Sequence, residues 1–407
     1  MFKFRSALAF VLLAGFAVAQ DGIRRGTIKA IDADKGTIII TADGKEETFT
    51  ISSDTRVVGA EGNALTKPFE DKSLTPGAAV MFKADTKNGK TVLVGLKLGG
   101  DPKPAPQQPK FDTSKLKPLP ELGTEKYQNF EGGLYPGGKN ERPADHEKAG
   151  LALSKQIEPL NAEGKPARDG KVVLLSVGMS NTTQEFSTFK RIADADKEKN
   201  PNLVIVDGAQ GGMTAARIKD ETSSPFWTTV DARLKSTGVT REQVQVAWLK
   251  EADAGPTSGF PKYAQTLRDE LRQIVQLMHT RFPNLKIVYL SSRIYGGYAK
   301  TGLNPEPYAY ESGFSVRWLV EEQIKGDAAL NFDPKKGDVR APWLSWGPYI
   351  WANGTTKNPD GLSYEESDFN SNDGTHPSAS GQKKVAEKLL AFFKSDITAE
   401  PWFLRPQ

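Results

Sequence analysis

Three histidines and no cysteine in 407 residues leave nucleophilic and acid-base chemistry few places to sit. The lack of cysteine excludes disulfides, thiolate metal sites and a cysteine nucleophile together. Of His146, His279 and His376, the last stands in the most suggestive setting, Ser371-Asn-Asp373-Gly-Thr-His376-Pro-Ser378. Asp373 precedes it by three residues across a glycine turn, so the carboxylate can reach Nδ1, fix the tautomer and leave Nε2 outward as a base. Asp-Gly is also a common turn and Pro377 suits a helix start, so the same residues fit a plain helix entry. A base needs a proton to take, and Ser180 offers one in Gly178-Met-Ser180-Asn-Thr-Thr183, behind the apolar run Val172–Val177. A serine on a strand-to-helix turn exposes its hydroxyl at the sheet edge, beside free N–H groups and the positive helix end. Ser, Asn and Thr there also suit a helix cap. Taken together, serine, orienting carboxylate and imidazole spell nucleophilic acyl chemistry.

These residues need a scaffold, and the sequence indicates one. Runs at Val172–Val177, Leu203–Val206, Val244–Leu249 and Leu285–Leu290 are rich in Val, Ile and Leu and bounded by turns, as strands buried on both faces are. Helical spacing between them, at Thr182–Ala195, Met213–Lys219 and Tyr263–Arg281, predicts right-handed crossovers and a parallel sheet. Ligands of such sheets bind at the carboxyl ends of the strands. An amphipathic helix is expected over Ala144–Ile157, with His146 as a structural residue. Arg293, in Ser-Ser-Arg293-Ile-Tyr295 after the fourth run, can bond a substrate oxygen or pair with a core carboxylate. The segment Pro342–Gly354 holds three of the seven tryptophans, either as flat faces for sugar rings or as loop anchors.

The chain ahead of this region has a different texture. Lys3 and Arg5 precede the apolar run Ala7–Ala19, which ends in Ala17-Val-Ala19, a pattern expected of a secretory signal over residues 1–19. It is shorter than the ~20 residues a membrane span needs. A secreted or periplasmic bacterial protein without stable membrane insertion is the expectation. Residues 20–100 alternate as a β meander from Ile23 to Leu98, with tight turns at Asp43-Gly44 and Asn88-Gly89. Five or six short strands cannot cover both faces of an open sheet, so a small closed barrel is predicted. Six prolines in residues 101–120 predict a semi-rigid spacer before the domain at 121–407. The formal charge of +4 is too small to imply nucleic-acid binding. No metal cluster, P-loop or dinucleotide fingerprint is found, and no cofactor is expected.

An early Gly-x-Ser180 after a strand, the glycine turn Asp207-Gly-Ala-Gln-Gly-Gly212 after the next, and a late Asp373-x-x-His376 before the last helix occur in an order that resembles the SGNH hydrolase superfamily. The resemblance spans roughly Lys171–Phe393. It implies a three-layer α/β/α sandwich with a parallel sheet, flavodoxin-like in arrangement, and an esterase in which Ser180 is the nucleophile, His376 the base and Asp373 its orienter. The backbone N–H groups of Ser180 and Gly212 would then form part of the oxyanion hole. Two positions depart from the family: Met179 stands where Asp is usual, and Ala252 where an Asn donor is usual. Lys250, two residues earlier on the same side of the strand, is the nearest replacement donor by sequence. The Gly26-Thr-Ile-x-Ala-Ile-Asp32 and Leu74-x-Pro76-Gly77-x-x-Val80 patterns resemble small OB-like barrel modules of exported bacterial proteins. The expected function is hydrolysis of acyl, chiefly acetyl, esters on carbohydrate, with a small-molecule or polysaccharide ester as the partner; a non-catalytic carbohydrate-binding protein with a hydrolase fold and a lipid or phospholipid esterase are the alternatives.

Overall fold

The computed structural model describes residues 23–42, 45–52, 55–59, 65–71, 74–87, 90–98, 111–222 and 225–405. The signal segment, both predicted tight turns and the first half of the proline-rich stretch lie outside these residues. The chain divides into two compact units, Met1–Ala105 and Pro106–Gln407, each with its own hydrophobic core.

The first unit is a single mixed sheet of six strands: β1 (Ile23–Asp32), β2 (Thr37–Ala42), β3 (Lys45–Thr50), β4 (Arg56–Val58), β5 (Ala79–Lys87) and β6 (Lys90–Leu98). Their order is β3-β2-β1-β5-β6-β4, antiparallel throughout except for the parallel β4–β6 pair. Strand alternation decides which side is buried: in β2, Ile38, Ile40 and Ala42 are buried while Ile39 and Thr41 between them are only half-buried. The sheet curls on itself, since the rings of Phe49 of β3 and Phe82 of β5 meet at 5.4 Å, tilted by 55°, across two intervening strands. Curling lets Ile28, Val80, Leu93, Leu96 and Leu98 close one core. Hydrogen bonds joining the outer strands β3 and β4 into a full barrel are not among the pairings of the described residues.

The second unit is mixed α/β. Residues 111–118, expected to belong to the spacer, instead pack on this unit: Asn353 Nδ2 donates to the carbonyls of Thr113 (2.6 Å) and Leu116 (3.0 Å). The apolar side chains of Leu116 and Leu119 carry the segment into the core, which a solvated spacer would not do. A short helix α1 (Leu119–Leu122), a two-residue hairpin, β7 (Lys126–Tyr127) with β8 (Phe130–Glu131), and helix α2 (Ala144–Ser154) lead to the main sheet. That sheet comprises β9 (Val172–Gly178), β10 (Leu203–Asp207), β11 (Val244–Lys250), β12 (Ile287–Leu290) and β13 (Trp343–Trp346), all parallel, in the order β10-β9-β11-β12-β13. Every residue of β9 and β11 is buried, as the unbroken apolar runs require.

The helices are α3 (Ser180–Asp194), α4 (Ala215–Ile218), α5 (Phe226–Ser236), α6 (Lys262–Arg281), α7 (Tyr308–Ile324), α8 (Ala379–Ser395) and α9 (Glu400–Phe403). Helix α3 packs on α8, and α6 on α7. The fifth strand, Trp343–Trp346, lies within the segment that the sequence indicates as an aromatic loop. Trp343, Trp346 and Trp351 are all buried, so they are anchors and offer no face to a sugar. Trp343 stacks on His146 at 4.9 Å, and a Cβ on Gly150 would fall 2.3 Å from its ring, so glycine lets α2 lie flat on it. His146, as expected, is structural, its Nε2 bonded to Leu344 O at 2.8 Å.

Candidate active site

Strand β9 leads directly to Ser180. Its last residue, Gly178, has space for no side chain, because a Cβ would come within 2.4 Å of both Lys250 O and Thr182 Oγ1. The chain then turns through Met179 and enters α3 at Ser180, with no side chain capping the helix. Ser180 is therefore the first helical residue, not a cap, and the first N–H groups of a 15-residue helix stay open beside its hydroxyl.

The turn after β10 lies alongside. Gln210 N donates to Gly178 O (2.9 Å), and Gln210 Nε2 to Gly208 O and Phe226 O. Arg233 donates to the carbonyls of Asp207 and Ala209, and Arg217 to that of Gly212 at 3.0 Å. With these carbonyls engaged from outside, the turn is held in one orientation. The glycine that faces Ser180 is Gly211, whose Cβ would meet Ser180 Cβ at 4.0 Å. Gly212, the residue picked out from sequence, sits one step further along at φ 75°, next to Arg217.

His376 comes from the turn ahead of α8. Its Nε2 lies 2.8 Å from Ser180 Oγ and its Nδ1 2.8 Å from Asp373 Oδ2. Asp373 Oδ1 accepts from the backbone N–H groups of Thr375 (2.7 Å) and His376 (2.9 Å), so both carboxylate oxygens are committed. Burial pushes the Asp373 carboxyl up, but hydrogen bonds from the His376 ring and from those two N–H groups outweigh it and hold it below the usual carboxylate value. An ionised Asp373 accepts Nδ1–H, which leaves the Nε2 lone pair for the serine proton. The turn is itself pinned: Asn181 Nδ2 donates to Thr375 O at 2.9 Å, Lys300 N to Asp373 O at 2.8 Å. Gly374, at φ 61°, has Tyr298 O where a Cβ would be, 1.9 Å away. Only glycine permits both that conformation and that approach.

Two residues named from sequence do not stand at the hydroxyl. Lys250 is 1% exposed, and its Nζ is hydrogen-bonded to Glu185 of α3. Burial lowers the ammonium to about 8, the Glu185 charge opposing it. It points into the α3 interface and is spent on an ion pair, which corrects its reading as a free donor. Ala252 lies beyond the end of β11, and a buried lysine is driven to its nearest carboxylate, because an unpaired charge out of water is costly. Arg293 is also buried, in the field of Glu185, Tyr263, Glu251 and Glu306, with Nε unpartnered. No hydrogen bond links it to Ser180, Asp373 or His376 among the described residues. Ala252 is fully buried and its carbonyl receives Ala215 N at 3.3 Å.

Sequence reasoning missed Gly211, Asn181 and the Glu185–Lys250 pair. The first was within reach, since Gly211 adjoins the glycine chosen; Glu185 lies five residues after Ser180 in an otherwise amphipathic helix, and nothing local flags it as buried. Among the described residues no group of three or more His, Asp or Glu is placed to hold a metal, and no helix is long and apolar enough to cross a membrane.

No family model matches the chain, and no curated protein matches it. Solved structures that it is similar to include the periplasmic domain of the lipopolysaccharide acetyltransferase of Salmonella ser. Paratyphi A, at 13% identity over 61% of this chain and 95% of that one, TM-score 0.31. A salicylyl-acyltransferase from a tetracycline biosynthetic pathway is similar at 16% identity over 57% and 56%, TM-score 0.27. Over 22% of this chain and all of the other, apo-CusF from Escherichia coli is similar at 18% identity, TM-score 0.15.

Proposed function

We propose that the protein is an exported serine esterase of the SGNH hydrolase type, its second unit a three-layer α/β/α sandwich, hydrolysing small acyl esters through an acyl-enzyme. The observation that carries this reading is the chain of two 2.8 Å hydrogen bonds from Ser180 through His376 to Asp373, laid across an uncapped helix N-terminus. In the first step His376 Nε2 takes the Ser180 proton while Oγ bonds to the acyl carbon, and Asp373 stabilises the imidazolium. Charge on the carbonyl oxygen is met by the N–H groups of Ser180 and of the Gly211–Gly212 turn, which Arg217 and Arg233 hold from behind. Return of the proton from Nε2 to the alkoxide releases the alcohol. Water, deprotonated by the same nitrogen, then frees the acid and regenerates Ser180.

Acetyl is the proposed acyl group, with a carbohydrate as the alcohol, although burial of Trp343, Trp346 and Trp351 removes the aromatic face that favoured a sugar. The curled six-stranded unit is proposed to bind or space rather than to catalyse. The intact triad weighs against a binding protein that has lost turnover. Aryl acetate hydrolysis combined with a fluorophosphonate label tests the reading: label on Ser180 and turnover lost on labelling are expected. Turnover without Ser180 modification, or no reaction of Ser180 with the label, would overturn it.

A further inference from the structure

The carboxylate of Asp207, at the end of β10, joins three parts of the second unit. Its Oδ1 accepts from Ser176 Oγ of β9 at 2.6 Å and, within its own turn, from Ala209 N at 3.1 Å. Its Oδ2 accepts from two hydroxyls of α3, Thr183 Oγ1 at 2.5 Å and Ser187 Oγ at 2.7 Å. Register explains the first contact: Asp207 stands beside Ser176 in the parallel β9–β10 ladder. The helix supplies the rest, because α3 packs against both strands and carries Thr183 and Ser187 four residues apart, on one side.

Ser176 extends the tie. It is fully buried, and its hydroxyl has one proton to give. With that proton on Asp207, the lone pairs of Ser176 Oγ face the turn, where Gly208 N (3.1 Å) and Ala209 N (3.4 Å) donate to it. A charged acceptor keeps such hydroxyl bonds short and directional. One side chain thereby holds two peptide N–H groups of the turn and the first two helical turns of α3 in a single frame. Ser180 opens that helix, and Gly211 follows Ala209 by two residues.

We propose that Asp207 is a positioning residue for the oxyanion site: its carboxylate sets the Gly211–Gly212 peptides against the Ser180 end of α3, so that N–H groups from two separate chain segments converge on one oxygen. The kinetic part rests on the esterase reading above; the structural part does not. The role is geometric, since a carboxylate repels an oxyanion and this one spends its charge on four donors. Asp207→Asn keeps an oxygen for Ser176 and Ala209 and turns an amide toward Thr183 and Ser187, whose hydroxyls accept as well as donate. Asp207→Ala keeps neither.

Hydrogen exchange in the full-length protein reads the tie without any substrate. The hydrogen-bonded amides of Gly208, Ala209 and Gln210 should exchange about tenfold faster in Asp207→Ala than in the wild type, and near the wild-type rate in Asp207→Asn. A thionoester then reads the oxyanion site, because sulfur accepts hydrogen bonds weakly. Between an aryl acetate and the matching aryl thionoacetate, the preference for oxygen in kcat/KM should shrink about tenfold in Asp207→Ala. On the acetate, kcat should fall about 30-fold with KM within about threefold, and Asp207→Asn should recover most of both losses. Thr183→Val with Ser187→Ala cuts the same tie from the helix side and should move exchange and preference in the same direction, which guards against an Asp207→Ala protein that does not fold. Unchanged exchange at the three amides in these variants overturns the proposal. Faster exchange with an unchanged oxygen preference also overturns it, since the tie would then serve stability alone. Faster exchange where the wild type neither turns over the acetate nor takes a fluorophosphonate on Ser180 supports the tie and overturns the esterase reading instead.

Discussion

The ammonium group of Lys250, at the end of β11, is hydrogen-bonded to the carboxylate of Glu185 on α3, and neither side chain is more than 1% exposed. Thr182 Oγ1 reaches Lys250 O at 2.7 Å from the preceding helical turn. Strand and helix are thereby locked together directly beneath Ser180. Removing one partner of such a pair leaves a buried charge and costs about 3–5 kcal/mol. Lys250→Met should therefore destabilise the second unit by about that amount in denaturant titrations, and Lys250→Met with Glu185→Leu should recover most of it. A double variant as unstable as the single would show that the lysine matters for its packing alone.

Ser180→Ala and His376→Ala should each lower kcat on an aryl ester by at least about 10³-fold, because neither partner works without the other. The double variant should be no worse than the singles. Steady-state kinetics on all three decide this, and additive losses would mean that the two residues serve different steps.

Asp373 ties pH to stability. Its carboxyl is held below the ordinary value in the folded protein, so in the acid range the unfolded chain binds more protons and stability rises with pH. The contribution is complete above the unfolded value, about 4, and disappears as pH falls through the folded one. Asp373→Asn should be less stable than wild type near about pH 6, with the gap closing below about pH 4. A gap that persists unchanged under acid would mean that the hydrogen bonds do not depend on the charge.

Much of the site was legible because its chemistry is local. Asp373 and His376 are three residues apart, and Ser180 follows an unbroken apolar run, so residue type and spacing revealed them. The parallel strands were legible for the same reason, through continuous burial. What escaped was set by distant partners. Trp343–Trp346 alternates no more than a loop would, and becomes a strand only by pairing with Ile287–Leu290. Lys250 looked free because its partner lies 65 residues away. Phe111–Lys117 reads as spacer because prolines crowd on either side of it, and is drawn in by Asn353, far downstream.

That last contact sets where the chain can be cut. A fragment beginning at Phe111 keeps Thr113, Leu116 and Leu119, whose N–H donates to Tyr349 Oη at 3.0 Å, and should be soluble with full activity on a small ester. A fragment beginning at Gly123 loses these groups and exposes their apolar contacts, and should melt about 5 °C or more lower. Equal melting temperatures would mean that the segment is dispensable.

Ser180 and the imidazole that serves it are separated by 196 residues of chain. During synthesis the serine and its turn are made first, and the histidine arrives only in the last stretch before α8. A partly made chain therefore carries an ordinary, unreactive serine. The six-stranded unit, with every member of its core encoded before residue 99, can finish folding meanwhile. On the proposed esterase reading, reactivity is timed by the order of the sequence: the hydroxyl is armed late, once β13 has closed the sheet and the turn carrying His376 has docked against Asn181.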